Sequence, residues 1–410
     1  MAVRNPMNNR SKPRILMLAP WAPYPYDGGS KRVYSLCHLL REKFQFSLLT
    51  FRSAAHNPSA VAEDLRRQHE LLRPVFDVIH WITPPAGQGP LNVGGLVLPE
   101  DARRFYSEEM AAKLRALVSS GETDLVHVEF GLMAAYGREV PGVPKVLTEH
   151  DMGGFSFFGS YFREMSGWNK FSRLPEWLRR VRFIRAVAGD YDRVVVMTEP
   201  DRRALLRLAP RAAACVVSTG VDLETFQPRP VAREGARIVF LGHYLHYPNE
   251  DAALYFLREV LPLVRREAPE VEFIAVGSDP TPALRQAAAQ APRVTVTGTV
   301  ADVRSYLADA TVFVAPVRLG HGIKGKILEA FAMGVPVVAS VRAASGLDVV
   351  AGRDLLVAKN SAQFSSAILR LLNSPSLRSE VGGNGRKAAQ RSYDWKTLAA
   401  GLGDLYDTLL

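Results

Sequence analysis

Two lysines stand inside a glycine-rich stretch, Arg318-Leu319-Gly320-His321-Gly322-Ile323-Lys324-Gly325-Lys326. Gly320, Gly322 and Gly325 carry no Cβ, so the backbone there can close on a ligand. If a helix follows, its first amides point at the same space, and its dipole adds roughly half a positive charge. Lys324 and Lys326 supply full charges, and Arg318 can add another. Such a loop is a cradle for a diphosphate, made of backbone, dipole and ammonium groups. The plain alternative is a tight strand-to-helix turn with solvated lysines. Two better-known motifs nearly fit. The three glycines satisfy G-x-G-x-x-G, but the dinucleotide fingerprint wants an acid about 20 residues on, at the end of the next strand. That strand ends at Ser340. The same loop reads G-x-x-x-x-G-K, but Ile327 stands where a magnesium-binding Ser or Thr belongs. Glu329 lies a turn further on, flanked by apolar Leu328, Ala330 and Phe331. Its carboxylate can accept from both hydroxyls of a ribose.

A second glycine pair, Gly28-Gly29, precedes a helix expected to open near Ser30, a good N-cap. Lys31 and Arg32 are as readily solvated as functional. Thr148-Glu149-His150-Asp151 ends an apolar run, and so does His127-Val128-Glu129. A histidine at the carboxyl end of a parallel strand faces the ligand side of such a sheet. His150 is therefore a candidate for the chemistry, with a satisfied core histidine as the alternative. His127 and Glu129 are candidates for contact with a second substrate. Asp190-Tyr191-Asp192 is a literal D-x-D, but it ends a helical stretch ahead of a strand. It reads as capping and packing, and no metal cluster is expected.

The elements that must position these residues alternate strand and helix. Residues 14–20, 44–51, 76–82, 124–130, 145–150 and 193–198 read as buried strands with helical patterns between them. That alternation implies a parallel sheet covered on both faces. Gln227-Pro228-Arg229-Pro230 opens a proline- and charge-rich linker, and the pattern then restarts. Residues 237–243, 271–277, 293–298, 311–316, 335–340 and 354–358 read as a second set of strands. The expected fold is α/β, with two Rossmann-like, doubly wound domains facing across a cleft. The boundaries expected are 1–227 and 228–392, with a C-terminal helix over 393–410 that can pack back on the first domain.

The chain has 410 residues, enough for two cores, with 47% hydrophobic and 22% charged residues. Cys37 and Cys215 are the only cysteines. They are far apart, out of metal spacing, and read as buried fillers in a reducing compartment. The longest apolar runs are strand-sized, which excludes a membrane-spanning helix. The N-terminus is polar and basic and does not read as a signal peptide. A cytoplasmic location is expected. The formal charge of +10 draws the protein toward anions. No nucleic-acid module accompanies that charge, and nucleic acid is not an expected partner.

The stretch around Glu329 resembles glycosyltransferase family 4, the large retaining family with the GT-B fold. Glu329-Ala330 and Gly334-Val335-Pro336-Val337-Val338 match the second half of its signature. The signature's first glutamate falls on His321, so this chain departs from the pattern where the family touches the donor sugar. The resemblance implies that Gly242 and the turn after it, Gly298, Val300 and Ile323 meet the nucleotide sugar. It also implies that Gly28-Gly29 closes on the donor phosphates and that His150 lies beside the transferred sugar. The family often has a basic pair near Gly242; here Gly242–Asn249 lacks it, and Lys324 and Lys326 carry the charge instead. The implied activity is a retaining, metal-independent hexosyl transfer from a UDP- or GDP-sugar, with no cofactor, in bacterial polysaccharide biosynthesis.

The acceptor is left open: a glycan, a lipid-linked sugar or another hydroxyl. Residues 162–189 are basic and aromatic, with Trp177, Val181, Ile184 and Ala188 able to share a helical face. Such a helix can rest on an anionic membrane, at the inner face of the cell, or be a core helix with a solvated arginine face. A nucleotide-sugar epimerase of the same fold and a non-catalytic nucleotide-sugar binder are the competing readings.

Overall fold

The computed structural model describes residues 12–25, 28–52, 67, 69–152, 174–229 and 235–410. Residues 162–173 of the basic stretch, Gly153-Gly154 and linker residues 230–234 lie outside that set. The chain separates into two compact units, 1–217 with 399–410, and 218–398.

The first unit is built on a seven-stranded sheet in the order β3-β2-β1-β6-β7-β8-β9, with every neighbour parallel. These are β1 (Arg14–Ala19), β2 (Gln45–Phe51), β3 (Val78–Ile82), β6 (Leu125–Glu129), β7 (Lys145–Glu149), β8 (Arg193–Val196) and β9 (Ala214–Val216). The central strands are buried along nearly their whole length, because helices cover both faces of a parallel sheet. In β1, Ile15, Leu16, Met17 and Leu18 are all buried. The order reverses between β1 and β6. A two-stranded hairpin, β4 (Asn92–Val93) with β5 (Leu96–Val97), lies outside the sheet. Neither it nor β9 is among the strands expected from the sequence.

The second unit carries a six-stranded parallel sheet in the order β12-β11-β10-β13-β14-β15. The strands are β10 (Arg237–Leu241), β11 (Glu272–Val276), β12 (Val294–Val296), β13 (Val312–Ala315), β14 (Val337–Ser340) and β15 (Leu356–Ala358). Each falls within a run expected from the sequence. Here the order reverses between β10 and β13. Ligands of open α/β sheets bind beyond the carboxyl ends of the strands at such reversals.

The boundary falls at Val217, ahead of the expected 227. Segment 218–229 folds with the second unit: the Val221 amide donates to the Tyr393 carbonyl at 2.8 Å, and Phe226 lies in that unit's core. The last helix, Trp395–Asp407, gives its second half to the first unit. There Lys43 pairs with Asp407, and the Tyr406 hydroxyl meets His127 Nδ1 at 2.5 Å. Among the described residues no helix is long and apolar enough to cross a membrane.

Candidate functional site

In the second unit, three glycine backbones stack at the ends of β10, β11 and β12. Gly277 has φ +141°, and a Cβ there would lie 1.7 Å from the Gly242 carbonyl oxygen. Gly277 in turn bridges Gly298. No other residue type fits at Gly277, so the close approach fixes the floor of the site. Val300 follows, half-buried against the core.

Beyond β13, residues 316–324 form the glycine loop. Gly320 and Gly322 both take positive φ, 78° and 74°, which turns the chain back toward the sheet. The helix Gly325–Ala332 then begins directly, with Ile327, Leu328, Ala330 and Phe331 buried and Glu329 half-buried. Lys324 donates to the His321 carbonyl at 2.5 Å, and Arg342 reaches the Gly320 carbonyl at 3.4 Å. Both bonds hold the loop from inside. Ile323 packs against the core, and His321 is half-buried.

Lys326 occupies the sheet's reversal point. Its ammonium donates to Asn249 Oδ1 at 2.7 Å and lies 4.5 Å from the centre of the Phe240 ring. Asn249 comes from the helix Tyr247–Tyr255, which follows the Gly242 turn after β10. Burial, with Lys324 adding repulsion against the weaker pull of Glu329, brings the Lys326 pKa down to about 7. An amide oxygen and a ring face are weak partners for a desolvated cation, and an anion would find it ready. The same two lysines, after burial, lower His246 as well.

Arg318, expected to add charge to the loop, is paired with an acid. Its guanidinium closes on Asp251 with contacts of 3.1 and 2.6 Å and stacks over Tyr255 at 4.3 Å. Its charge is already matched, and a bidentate pair of this kind is hard to recruit.

In the first unit the reversal between β1 and β6 gathers a different set. The helix after β1 spans Gly28–Leu40, so Ser30 lies inside it and is not its cap. Ser30 instead accepts from Trp21 Nε1 at 3.1 Å. A Cβ on Gly29 would lie 2.9 Å from the Phe130 ring, so only glycine lets that helix come so close. Phe130 follows β6 with φ 70°, a conformation costly for a bulky residue, and its ring stacks on His150 at 3.9 Å and 13°. His150 Nε2 meets Glu129 Oε2 at 2.7 Å.

Behind His150 the residues are buried. Arg32 is fully buried, reaches Glu129 at 3.4 Å and donates to the Val217 carbonyl at 3.0 Å. Of the two readings left open for Arg32, solvated or functional, burial excludes the solvated one. Nor do His127 and Glu129 reach a second substrate: they are 0% and 1% exposed. His127 is held between Thr148 Oγ1 at 2.7 Å and Tyr406, and burial lowers its pKa to about 4. Burial opposes the Glu129 carboxylate, but its neighbours and the His150 hydrogen bond hold its pKa low. Burial likewise lowers His150, against the pull of Glu129.

A cavity of about 300 Å³ opens beside His150, lined among others by Phe130, Gly131, Glu149, Asp151 and Arg180. Burial raises the Glu149 carboxyl to about 8, with Asp151 and Asp101 adding to the effect, so this carboxyl is neutral at pH 7. A Cβ on Gly131 would strike its oxygen at 1.7 Å. Asp101 pairs with Arg180 of the helix Leu174–Val187, whose Phe183, Ile184 and Val187 are buried. Asp190 is bound by Arg138, and Asp192 accepts from the Lys145 amide, so the D-x-D is structural. Cys37 is buried and Cys215 only partly so. Phe130 and Tyr406 escaped the sequence reading, as did the burial of Arg32 and Glu149. An aromatic between Glu129 and Gly131 offers no signal of a stacked histidine.

The family described as "Glycosyltransferase Family 4" matches residues 26–225, and "Glycosyl transferases group 1" matches residues 235–374. A phosphatidyl-myo-inositol mannosyltransferase of Mycolicibacterium smegmatis is 30% identical over 48% of this chain and 52% of its own length. A GDP-mannose-dependent α-(1-6)-phosphatidylinositol monomannoside mannosyltransferase of Mycobacterium tuberculosis is 29% identical over 58% of this chain and 66% of its own. The chain thus spans about half to two-thirds of these relatives. Anabaena HepE, solved in complex with UDP, superposes with a TM-score of 0.70 at 15% identity, over 97% of this chain and 100% of that one. With both sheets of the GT-B type and both units matched, the chain belongs to the family 4 (group 1) glycosyltransferases.

Proposed function

We propose that this chain is a retaining glycosyltransferase that moves a sugar from a UDP- or GDP-sugar to a glycan, glycolipid or other hydroxyl acceptor. It acts without a metal ion, in the building of cell-surface polysaccharide or glycolipid. The observation that carries this reading is Lys326, a partly desolvated ammonium between Asn249 and Phe240 at the reversal of the second sheet. Breaking the bond from anomeric carbon to phosphate leaves a nucleoside diphosphate with growing negative charge. Lys326, Lys324 and the amides opening the helix Gly325–Ala332 are placed in advance to meet that charge. They take the part that a divalent cation plays in other transferases. Glu329 holds the ribose, and the backbones of Gly242, Gly298 and Val300 border the base. The anomeric carbon takes on oxocarbenium character. The acceptor hydroxyl attacks from the face that the diphosphate leaves, and the departing phosphate oxygen takes its proton. His150 meets the transferred sugar, with Gly28-Gly29 near the phosphates.

The relatives' names support a nucleotide-sugar donor: one uses GDP-mannose, and HepE was solved with UDP. They also favour a lipid-linked acceptor, since two act on phosphatidylinositol compounds. A cytoplasmic protein with a +10 charge can meet such an acceptor at an anionic membrane. The test is incubation with UDP- and GDP-sugars, with and without lipid and glycan acceptors, in the presence of EDTA. Acceptor-dependent release of nucleoside diphosphate that survives EDTA is expected. Loss of release with EDTA and its return with manganese would overturn metal independence. Tight binding without any release would overturn the transferase reading.

A further inference from the structure

His150 is held on three sides, and each side says something about its hydrogens. Phe130 covers one face of the ring at 3.9 Å, which prevents rotation. Glu129 Oε2 lies 2.7 Å from Nε2. The Nδ1 edge lies against the opening turn of the helix Gly28–Leu40, where a Cβ on Gly29 would come 3.5 Å from Nδ1.

We propose that Glu129 is a positioning residue that fixes His150 as the Nε2–H tautomer, so that Nδ1 offers a lone pair to a hydroxyl of the sugar substrate. The proposal rests on His150 meeting that substrate, as argued above. Arg32 decides the charge of Glu129. Its guanidinium is permanently charged and fully buried, and such a cation requires an ionised partner. Glu129 Oε1 lies 3.4 Å from it. An ionised carboxylate only accepts hydrogen bonds, so the hydrogen of the 2.7 Å contact belongs to His150 Nε2. The first amides of a helix lack partners within it and make its start the positive end. That surrounding suits a bare nitrogen at Nδ1 and opposes a second proton. His127 completes the setting. It is fully buried behind Glu129, with Thr148 and Tyr406 at its two nitrogens and its Nε2 3.5 Å from Glu129 Oε1.

The consequence is a polarity. A substrate hydroxyl facing Nδ1 must donate its hydrogen, and an analogue lacking that hydroxyl loses the contact. Glu129→Gln should reverse the polarity. The amide oxygen turns to Arg32, the NH₂ turns to His150 Nε2, and the ring hydrogen moves to Nδ1. This is the logic by which a carboxylate sets the tautomer of a histidine in other enzymes.

The direct test is a long-range ¹H–¹⁵N correlation spectrum of the whole histidine-labelled protein at pH 7, with His150 assigned by the signals lost in His150→Asn. A protonated Nε2 and bare Nδ1 are expected in the wild type; the Nδ1–H form or the doubly protonated ring would overturn the proposal. Glu129→Gln should move the hydrogen to Nδ1 and lower kcat about 100-fold, with KM for the nucleotide sugar within about twofold. Glu129→Asp should restore the wild-type tautomer and most of kcat. A folded Glu129→Gln protein with wild-type tautomer and kcat would show a merely structural carboxylate and overturn it. If Glu129→Gln does not fold, the wild-type spectrum decides. The spectrum needs no turnover, so it judges the tautomer separately from the transferase reading. An unmoved Nδ1 signal on saturation with nucleotide sugar would refute the substrate contact alone.

Discussion

The two sheets reverse their strand order in the same way, and the two reversals are charged in opposite styles. In the first unit Arg32, Glu129, His150 and His127 answer one another, and the cation and anion are both buried. In the second, Lys326 finds an amide oxygen and a ring face. A buried charge with its counter-charge built in is finished structure. Its net worth is modest, but removing one partner is costly. A cation left with weak partners is held short of charge, and that shortage is what a diphosphate supplies. On the proposed reading, the first set orients a substrate and the second binds one.

This contrast can be broken at several places. The largest effect is expected from Arg32→Met, which leaves Glu129 buried without its cation. Unfolding free energy should fall by about 3–5 kcal/mol, read as a lowered denaturation midpoint. A loss below about 1 kcal/mol would show that the pair is not structural. Lys326→Met should behave in the opposite sense. Transfer should slow by about 10²–10³-fold, while the denaturation midpoint holds or rises, because a desolvated charge is gone. If Lys326→Met instead destabilises the protein as Arg32→Met does, the contrast fails. Asn249→Asp should give Lys326 a built-in anion and weaken nucleoside diphosphate binding by about tenfold, measured by titration calorimetry.

The last contrast is in pH dependence, where the two sites have opposite limbs. Lys326 has a native pKa of about 7, against about 10.4 unfolded. Between those values the unfolded chain binds more protons, so this lysine makes stability rise as pH increases from about 7. That rise should vanish in Lys326→Met. Glu129 is held below its unfolded value. Its contribution is present above about pH 4.3 and is lost as the solution is acidified below that. Urea midpoints measured across pH would show both limbs.

The sheets were readable because parallel strands buried on both faces appear as unbroken apolar runs, such as Ile15–Leu18 and Val312–Ala315. The glycine loop was readable as a turn into a helix because glycine and lysine spacing is local. What stayed hidden depends on distant partners. Arg318 looked free until the helix Tyr247–Tyr255 brought Asp251 to it. Arg32 stayed open between a solvated and a functional reading until β6 brought Glu129. The left-handed φ of Phe130, which stacks it on His150, has no signature in a Glu-Phe-Gly sequence. The unit boundary at Val217 depended on Val221 pairing with a residue far along the chain.

On the proposed reading, the Gly320–Lys326 loop neutralises a diphosphate. Calorimetric titration of UDP and GDP into the wild type and Lys326→Ala, both in EDTA, tests it most directly. At least one nucleotide should bind the wild type, and Lys326→Ala should bind it at least about tenfold more weakly. Equal affinity in the two proteins would contradict the account.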